Sequence, residues 1–155
     1  MPSGVTLRPA RPTDAAEVAE VFLAAHRYSL SYLPNVHTDE ETRTWIRNTV
    51  LPDTTVWVAE SDGVVVAFLS LDAEKLEHLY VHPNFHSQGI GTALLDKAFQ
   101  LSPVRLKLYT FARNELARRF YERRGFRAIA FGDDNEENEP DVLYEWVPAS
   151  TDDTD

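Results

Sequence analysis

The chain has 155 residues, 43% of them hydrophobic, which suits one domain with its own core and is too apolar for a disordered chain. Its formal net charge of −10 argues against a nucleic-acid-binding protein, which needs a basic surface. It has no cysteine, no apolar run of membrane-spanning length and no signal-peptide core near the N-terminus. We therefore expect a cytoplasmic protein without a disulfide, a bound metal, a nucleic-acid partner or a membrane partner.

The N-terminal half of the sequence predicts a strand, two helices and a hairpin. Residues 5–8 alternate as a short strand, and Thr13 is the predicted N-cap of a first helix. Thr38 and Glu41 form a capping box that opens a second, short helix. Residues 55–59 and 64–71 then predict two strands joined by a tight turn.

The C-terminal half alternates strands with helices. Residues 76–81 predict a strand that runs into a glycine-bearing loop, and a helix follows that loop. Another helix is predicted at 114–124, and further strands are predicted at 104–109, 126–131 and 142–147. These elements predict a single α/β domain over residues 1–148 with a mixed sheet. We expect the acidic tail at 149–155 to be disordered.

The loop Ser87-Gln88-Gly89-Ile90-Gly91-Thr92 joins the strand to the helix. The first four amides of a helix have no partner inside it, and the helix dipole adds partial positive charge there. Because glycine has no Cβ, a ligand can approach the backbone closely. The loop therefore indicates a phosphate or pyrophosphate site. A tight turn without a ligand is the alternative, since the full dinucleotide and Walker A patterns are missing.

A second motif, Asn114-x-x-Ala117-x-x-Phe120-Tyr121-x-x-x-Gly125-Phe126, follows across one predicted strand. Together with the Leu79–Pro83 segment and the glycine loop, this motif resembles the GNAT family of N-acetyltransferases. The resemblance covers residues 5–146 and is most specific between 76 and 126. It implies a single-domain GNAT fold with a mixed central sheet of about six to seven strands and about four flanking helices.

The resemblance also implies an acetyl-CoA-dependent enzyme that transfers acetyl directly to a primary amine. The strand before the loop would pair with the pantetheine arm, the loop amides would hold the pyrophosphate, and Asn114 would contact the CoA arm. Tyr121 would be the catalytic acid that protonates the departing thiolate, the alternative being a core aromatic of its helix. The implied cofactor-binding residues are Leu79, Tyr80, Val81, His86, Ser87, Gln88, Gly89, Ile90, Gly91, Thr92, Asn114 and Tyr121.

His86 departs from the family pattern, which has Arg or Gln at this position. Binding through backbone amides does not depend on that side chain, so we expect phosphate binding to survive the change. Whether the imidazole adds a hydrogen bond or a charge is left open by the sequence.

The reaction also needs a base, because an ammonium is not a nucleophile. The candidates are Glu77, His78 and His82. Strand alternation puts Glu77 on the face of the strand that carries Leu79 and Val81, although a kink would change this. Glu77 is the predicted catalytic base, and a surface or ion-paired carboxylate is the alternative.

The acceptor pocket is predicted from the aromatic segment at 28–36, the second helix and the acidic loop at 133–139. Its predicted substrate-binding residues are Tyr28, Tyr32 and Trp45, with His26 nearby. Aromatic rings beside carboxylates suit a cationic amine. The sequence leaves open a small-molecule or peptide amine, and a monomer or homodimer. The rival hypothesis is a GNAT-like module that binds acyl-CoA without catalysis.

Overall fold

The structure is a computed structural model that describes residues 4–34 and 36–149. Its seven strands form one sheet in the order β1-β2-β3-β4-β5-β7-β6, which confirms the predicted mixed α/β sheet. The neighbours are antiparallel except for β4 and β5, which are parallel. The predicted tail lies almost wholly outside the described residues. The strands are β1 Val5–Pro9, β2 Thr55–Ser61, β3 Val64–Asp72, β4 Lys75–Val81, β5 Leu106–Phe111, β6 Arg127–Gly132 and β7 Asp141–Trp146.

Four helices of seven residues or more lie in the described ranges. They are α1 Ala15–Ser29, α2 Asp39–Trp45, α3 Ile90–Leu101 and α4 Glu115–Arg123. α2 continues through a π-helical turn, Ile46–Val50, and a short turn, Leu51–Asp53. No helix among the described residues is both long enough and apolar enough to span a membrane.

Side-chain hydrogen bonds stabilise the N-terminal ends of α1 and α2. At α2, the Glu41 amide donates to Thr38 Oγ1 at 3.1 Å and the Thr38 amide donates to Glu41 Oε1 at 2.8 Å, which confirms the capping box. At α1 the predicted Thr13 cap is wrong. Thr13 lies inside a 3-10 turn, Pro12–Asp14, and the Asp14 carboxylate accepts from the Arg11 amide at 2.7 Å instead.

The sheet buries a cluster of apolar side chains on each face. One cluster includes Leu69, Leu76 and Leu94 and lies under α3 and α4, whereas the other includes Val18, Ile46 and Phe68 and lies under α1 and α2. In β3, alternation sends Phe68 to one cluster and its neighbours Ala67 and Leu69 to the other. Helices therefore cover both faces of the central strands, and this packing fixes the positions of the residues at the strand ends.

Strands β4 and β5 diverge from their first pair onward. The only register pair between them in the described chain is Lys75 with Lys107, so the β5-facing edge of β4 makes no further ladder hydrogen bonds to β5. β4 also carries a bulge, because Leu71 pairs with Leu76 while the preceding Ser70 pairs with His78. Glu77 is the extra residue, and simple alternation therefore breaks there.

Candidate active site

A cleft of about 520 Å³ lies between the separated strands β4 and β5. Its walls are β4 from Leu76 to Val81, β5 from Leu108 to Phe111, and the first turns of α3 and α4. One end of the cleft meets the loop before α3, and the opposite end opens on the α1 side of the sheet. The unpaired edge of β4 offers backbone donors and acceptors to an extended ligand in this cleft.

The glycine loop forms one end of the cleft. Ser87 and Gly89 both have left-handed backbones, with φ of 64° and 82°, and Gly89 is the N-cap of α3. A Cβ added at Gly91 would lie 3.7 Å from Val81 Cγ2 and 3.8 Å from Phe120 Cζ, which are ordinary contacts. Except for the exposed Gln88, the residues from Ser87 to Thr92 line the cleft. The backbone amides without helical partners at the N-terminus of α3, where the helix dipole is positive, therefore border the cavity.

Two arginines and a histidine line the cleft together with this loop. Arg123 and Arg124 line the cleft from the end of α4, and Arg124 Nη2 donates to Thr92 Oγ1 at 2.7 Å. His86 Nε2 is 3.1 Å from the Val81 carbonyl oxygen and donates to it, while its ring lies edge-on to Tyr28 at 5.2 Å. The sequence reasoning missed both arginines, whose position depends on how α4 packs against α3.

Tyr121 on α4 is buried and lines the cleft. Its ring lies edge-on to Phe120 at 5.1 Å and to Phe126 at 5.4 Å, and its hydroxyl has no hydrogen-bond partner among the described residues. Burial, together with a smaller effect of Tyr80, raises the pKa of Tyr121. The phenol therefore keeps its proton at neutral pH and is free to donate it into the cleft.

Asn114 is the N-cap of α4 and also lines the cleft. Its Oδ1 accepts from the Ala117 amide at 3.2 Å, so this oxygen is occupied by the helix. The Nδ2 group has no partner among the described residues. The side chain therefore stabilises α4 and still has two donors for a ligand.

A second cavity of about 640 Å³, called the groove below, continues the cleft on the α1 side. Glu77, His78 and Tyr80 of β4 line both cavities, as do Leu30 and the β5 residues Tyr109, Thr110 and Phe111. The two cavities therefore meet between the diverging strands. The groove also contains Asp134, Glu137 and Asp141 from the acidic loop and the start of β7.

The three candidate bases occupy different surroundings. Glu77, at the bulge, borders both cavities and lies 3.4 Å from Lys75 Nζ. His78 Nδ1 is 2.6 Å from Ser70 Oγ, and burial, with a smaller effect of Lys75, lowers the pKa of His78 to about 4. His82 Nδ1 accepts from the Asn84 amide at 3.1 Å, which shapes the turn after β4.

The sequence and fold agree with a known acetyltransferase family. Residues 52–128 match the family model described as an acetyltransferase (GNAT) domain. Peptidyl-lysine N-acetyltransferase YjaB of Salmonella typhimurium is 30% identical over 98 residues, which cover 63% of this chain and 67% of that protein. This chain belongs to the GNAT family of N-acetyltransferases. The comparison confirms the predicted family and the predicted class of enzyme, an acyltransferase.

A further relative supports the GNAT assignment, and a solved structure matches the fold. Peptidyl-lysine N-acetyltransferase YiaC of Escherichia coli is 29% identical over 107 residues, 68% of this chain and 73% of that protein. The PaiA N-acetyltransferase of Thermoplasma acidophilum, solved with coenzyme A, has a TM-score of 0.72. It is 20% identical, and the match covers 93% of this GNAT chain and 99% of that one. This last likeness is one of fold.

The predicted acceptor residues do not lie together in the GNAT structure. Tyr28 is exposed and lines the cleft near His86, not the groove. Trp45 borders a third cavity of about 490 Å³. Tyr32 lies under the Arg113 guanidinium, which is 4.1 Å from its ring centroid, and its buried hydroxyl has no partner. Only the nearby His26 lines the groove, because the end of α1 directs its successive residues to different sides.

The groove instead uses aromatic residues that the sequence reasoning did not select. Phe22 of α1, Tyr109 and Phe111 of β5, and Phe131 of β6 line it. Alternation along β5 could have indicated that Tyr109 and Phe111 share a face. The contribution of Phe131 depends on β6 pairing with β7 rather than with β5, which no local pattern shows.

Proposed function

We propose that this GNAT protein is an acetyl-CoA-dependent N-acetyltransferase that transfers acetyl directly to a primary amine. The observation that carries this proposal is the continuity of the cleft. A cavity with free helix amides and arginines at one end runs between β4 and β5 and opens into an acidic, aromatic groove at the other. The coenzyme A held by PaiA, a protein of the same fold, supports the same assignment.

The residues at the loop fit the phosphates of acetyl-CoA. Free amides from Ser87 to Thr92 and the cations Arg123 and Arg124 would hold the pyrophosphate. The backbone edge at Leu79 and Val81 and the Nδ2 group of Asn114 would hold the pantetheine arm, and Tyr80 lines the same wall. His86 already donates to the Val81 carbonyl, so we assign it to shaping the loop rather than to a phosphate.

Acetyl-CoA supplies an activated acetyl group on a thioester. As the amide C–N bond forms and the C–S bond breaks, the acceptor ammonium gives up two protons in total and the sulfur takes up one. Tyr121 keeps its phenolic proton at neutral pH because burial raises its pKa, and its unpartnered hydroxyl faces the cleft. We assign to it the donation of that proton to the leaving sulfur.

Glu77 is the residue we assign to removing a proton from the acceptor ammonium. Its carboxylate borders both cavities at the point where they meet, and a water between it and the amine would complete the path. His78 does not suit this role at neutral pH, because its low pKa makes it a weak base. His82 is engaged with the Asn84 amide.

A calorimetric titration with acetyl-CoA tests the binding half of this proposal. We expect saturable binding to the wild-type protein, and weaker binding of S-acetyl-pantetheine, which lacks the pyrophosphate and so loses the contacts at the glycine loop. No heat of binding at millimolar acetyl-CoA would contradict the proposal. Binding without any amine-dependent release of CoA would favour the non-catalytic module.

A further inference from the structure

Aromatic rings from four elements line the groove. The rings come from α1, β4, β5 and β6, and belong to Phe22, His26, His78, Tyr80, Tyr109, Phe111 and Phe131. Phe22 lies edge-on to Tyr80 at 5.2 Å and to His78 at 5.7 Å. At the rim, Tyr109 is 55% exposed and Phe131 is 70% exposed. Aromatic side chains gathered at a cavity mouth are typical of a surface that binds an apolar ligand group.

Four of the five charged residues that line the groove, histidines aside, are acidic. Carboxylates of Glu77, Asp134, Glu137 and Asp141 line it, and Lys75 is the one lysine or arginine among its described lining residues. Lys75 Nζ is already 3.4 Å from a Glu77 oxygen and 5.3 Å from the Tyr109 ring centroid. A ligand carboxylate would therefore meet fixed negative charges and no free cation.

Glu137 lines the groove beside these aromatic rings. Its charge adds to the effect of burial in raising the pKa of Tyr80 to about 12, and it opposes the effect of burial on His26, whose pKa is lowered. Glu137 is half-buried and has no ion-pair partner among the described residues. An ammonium held between these rings and this carboxylate would have both a counter-charge and aromatic faces.

We propose that the acceptor is a primary amine on an apolar stem, aromatic or long alkyl, with no carboxylate on the carbon that bears the nitrogen. The proposal rests on the acetyltransferase function proposed above and deepens it. Two sources share this chemistry, namely small arylalkylamines and the lysine side chain within a peptide. Free α-amino acids and amines on hydroxylated rings do not share it.

The pair 2-phenylethylamine and L-phenylalanine tests the proposal, because the two molecules differ only by the carboxylate. We expect kcat/KM to be at least about 100-fold higher for 2-phenylethylamine, a difference of about 2.8 kcal/mol. Equal values for the two compounds would overturn the proposal. Cyclohexylamine and glucosamine form a second pair, in which a better glucosamine acceptor would also overturn it.

A lysine derivative separates the two sources. Nα-acetyl-lysine amide offers the same ammonium on an alkyl stem without a free carboxylate. If it is the faster substrate, the natural acceptor is a lysine side chain, and if 2-phenylethylamine is faster, it is an arylalkylamine. Both orders support the proposal so long as both compounds exceed L-phenylalanine.

Substitutions at Glu137 connect the preference to the groove. We expect Glu137→Gln to raise KM for 2-phenylethylamine about tenfold with little change in kcat, and Glu137→Lys to shift the ratio of the two kcat/KM values toward L-phenylalanine. Asp133→Asn is the matched control, because this exposed neighbour lies outside the described lining of the groove. An unchanged ratio in Glu137→Lys would overturn the proposal.

Acetyl-CoA binding, measured on every variant, separates failure of this inference from failure of the proposed function. A protein that binds acetyl-CoA and acetylates L-phenylalanine as well as 2-phenylethylamine contradicts only the acceptor class. A protein that binds no acetyl-CoA contradicts the proposed function itself.

Discussion

Nδ1 of His78 on β4 lies 2.6 Å from Oγ of Ser70 on β3. Ser70 is fully buried, and this imidazole nitrogen is the only acceptor for its hydroxyl among the described residues. The hydroxyl therefore donates to Nδ1, and the neutral ring carries its proton on Nε2. His78 is thus a neutral donor where the cleft meets the groove, and Glu77 is the carboxylate that borders both cavities among their described lining residues.

The burial of His78 makes stability depend on pH. The pKa of His78 is about 4 in the folded chain and about 6.5 in an unfolded chain. As the pH falls from 6.5 to 4, the unfolded state takes up a proton that the folded state does not. We therefore expect protonation at His78 to lower the free energy of unfolding by up to about 3 kcal/mol as the pH falls across that range. Well above pH 6.5, His78 should not make the free energy of unfolding depend on pH.

The double variant Ser70→Ala/His78→Phe measures this contribution. It removes both hydrogen-bonding partners together, so no buried polar group is left unsatisfied, and a phenyl ring suits the neighbouring Phe22 and Trp45. Urea unfolding at pH 4.5 and 7.5 should show a smaller difference between the two pH values for the variant than for the wild type. An identical difference would contradict the low pKa.

Tyr121→Phe tests the proton donor. The hydroxyl has no partner among the described residues, so its removal should leave the fold and acetyl-CoA affinity nearly unchanged. Loss of a general acid should lower kcat by about 100-fold. Single-turnover acetylation, with the dissociation constant measured in parallel, checks both expectations. If affinity falls while the rate for bound complex does not, Tyr121 is a binding residue and not the acid.

Two substitutions at Gly91 separate the steric effect of a side chain in the glycine loop from the effect of a negative charge there. A Cβ there makes only ordinary contacts at 3.7 and 3.8 Å, so Gly91→Ala should fold and reduce acetyl-CoA affinity by no more than a few-fold. Gly91→Asp adds a carboxylate beside the phosphates and should weaken binding by about 100-fold. Calorimetry on the two variants makes the comparison, and equal affinities would exclude a phosphate at this loop.

Arg124 should contribute to the same end of the cleft. Its guanidinium lines the cavity and is already oriented by Thr92, so Arg124→Gln should weaken acetyl-CoA binding about tenfold at low salt. The loss should shrink as salt is raised, because salt screens the attraction in the wild type. Arg119→Gln is the matched control on the exposed side of α4. An equal loss in both variants would point to net charge and not to a contact.

The sequence predicts the secondary structure well, because it depends largely on local patterns, whereas the role of the glycine loop in binding a cofactor stays a prediction. All seven strands overlap predicted strands, although β3 is buried along nearly its whole length and its burial does not alternate. Gly89 is placed where the backbone is left-handed at the start of α3. The predicted N-cap of α1, Thr13, is wrong, because Thr13 and Asp14 are both residue types that cap helices well and local sequence does not separate them. The interaction of Arg8 with Asp14, at 2.8 Å, depends on β1 and could not be read locally.

Two of the predicted acceptor residues, Tyr28 and Trp45, border different cavities, because this side of the molecule is assembled from distant elements. The bulge at Glu77 shifts the alternation of β4, so Glu77 borders both cavities instead of sharing one face with Leu79. Tyr28 lies on the cleft side because of its position at the end of α1. Phe131 reaches the groove only through the pairing of β6 with β7, an arrangement that involves long-range contacts.

The most direct test of the central claim is amine-dependent release of CoA from acetyl-CoA, with mass spectrometry of the amine. We expect the wild-type protein to form one N-acetylated amine for each CoA released, and Tyr121→Phe to form it much more slowly. If the protein binds acetyl-CoA but no primary amine in a broad panel accelerates CoA release, the proposed acetyltransferase activity is contradicted.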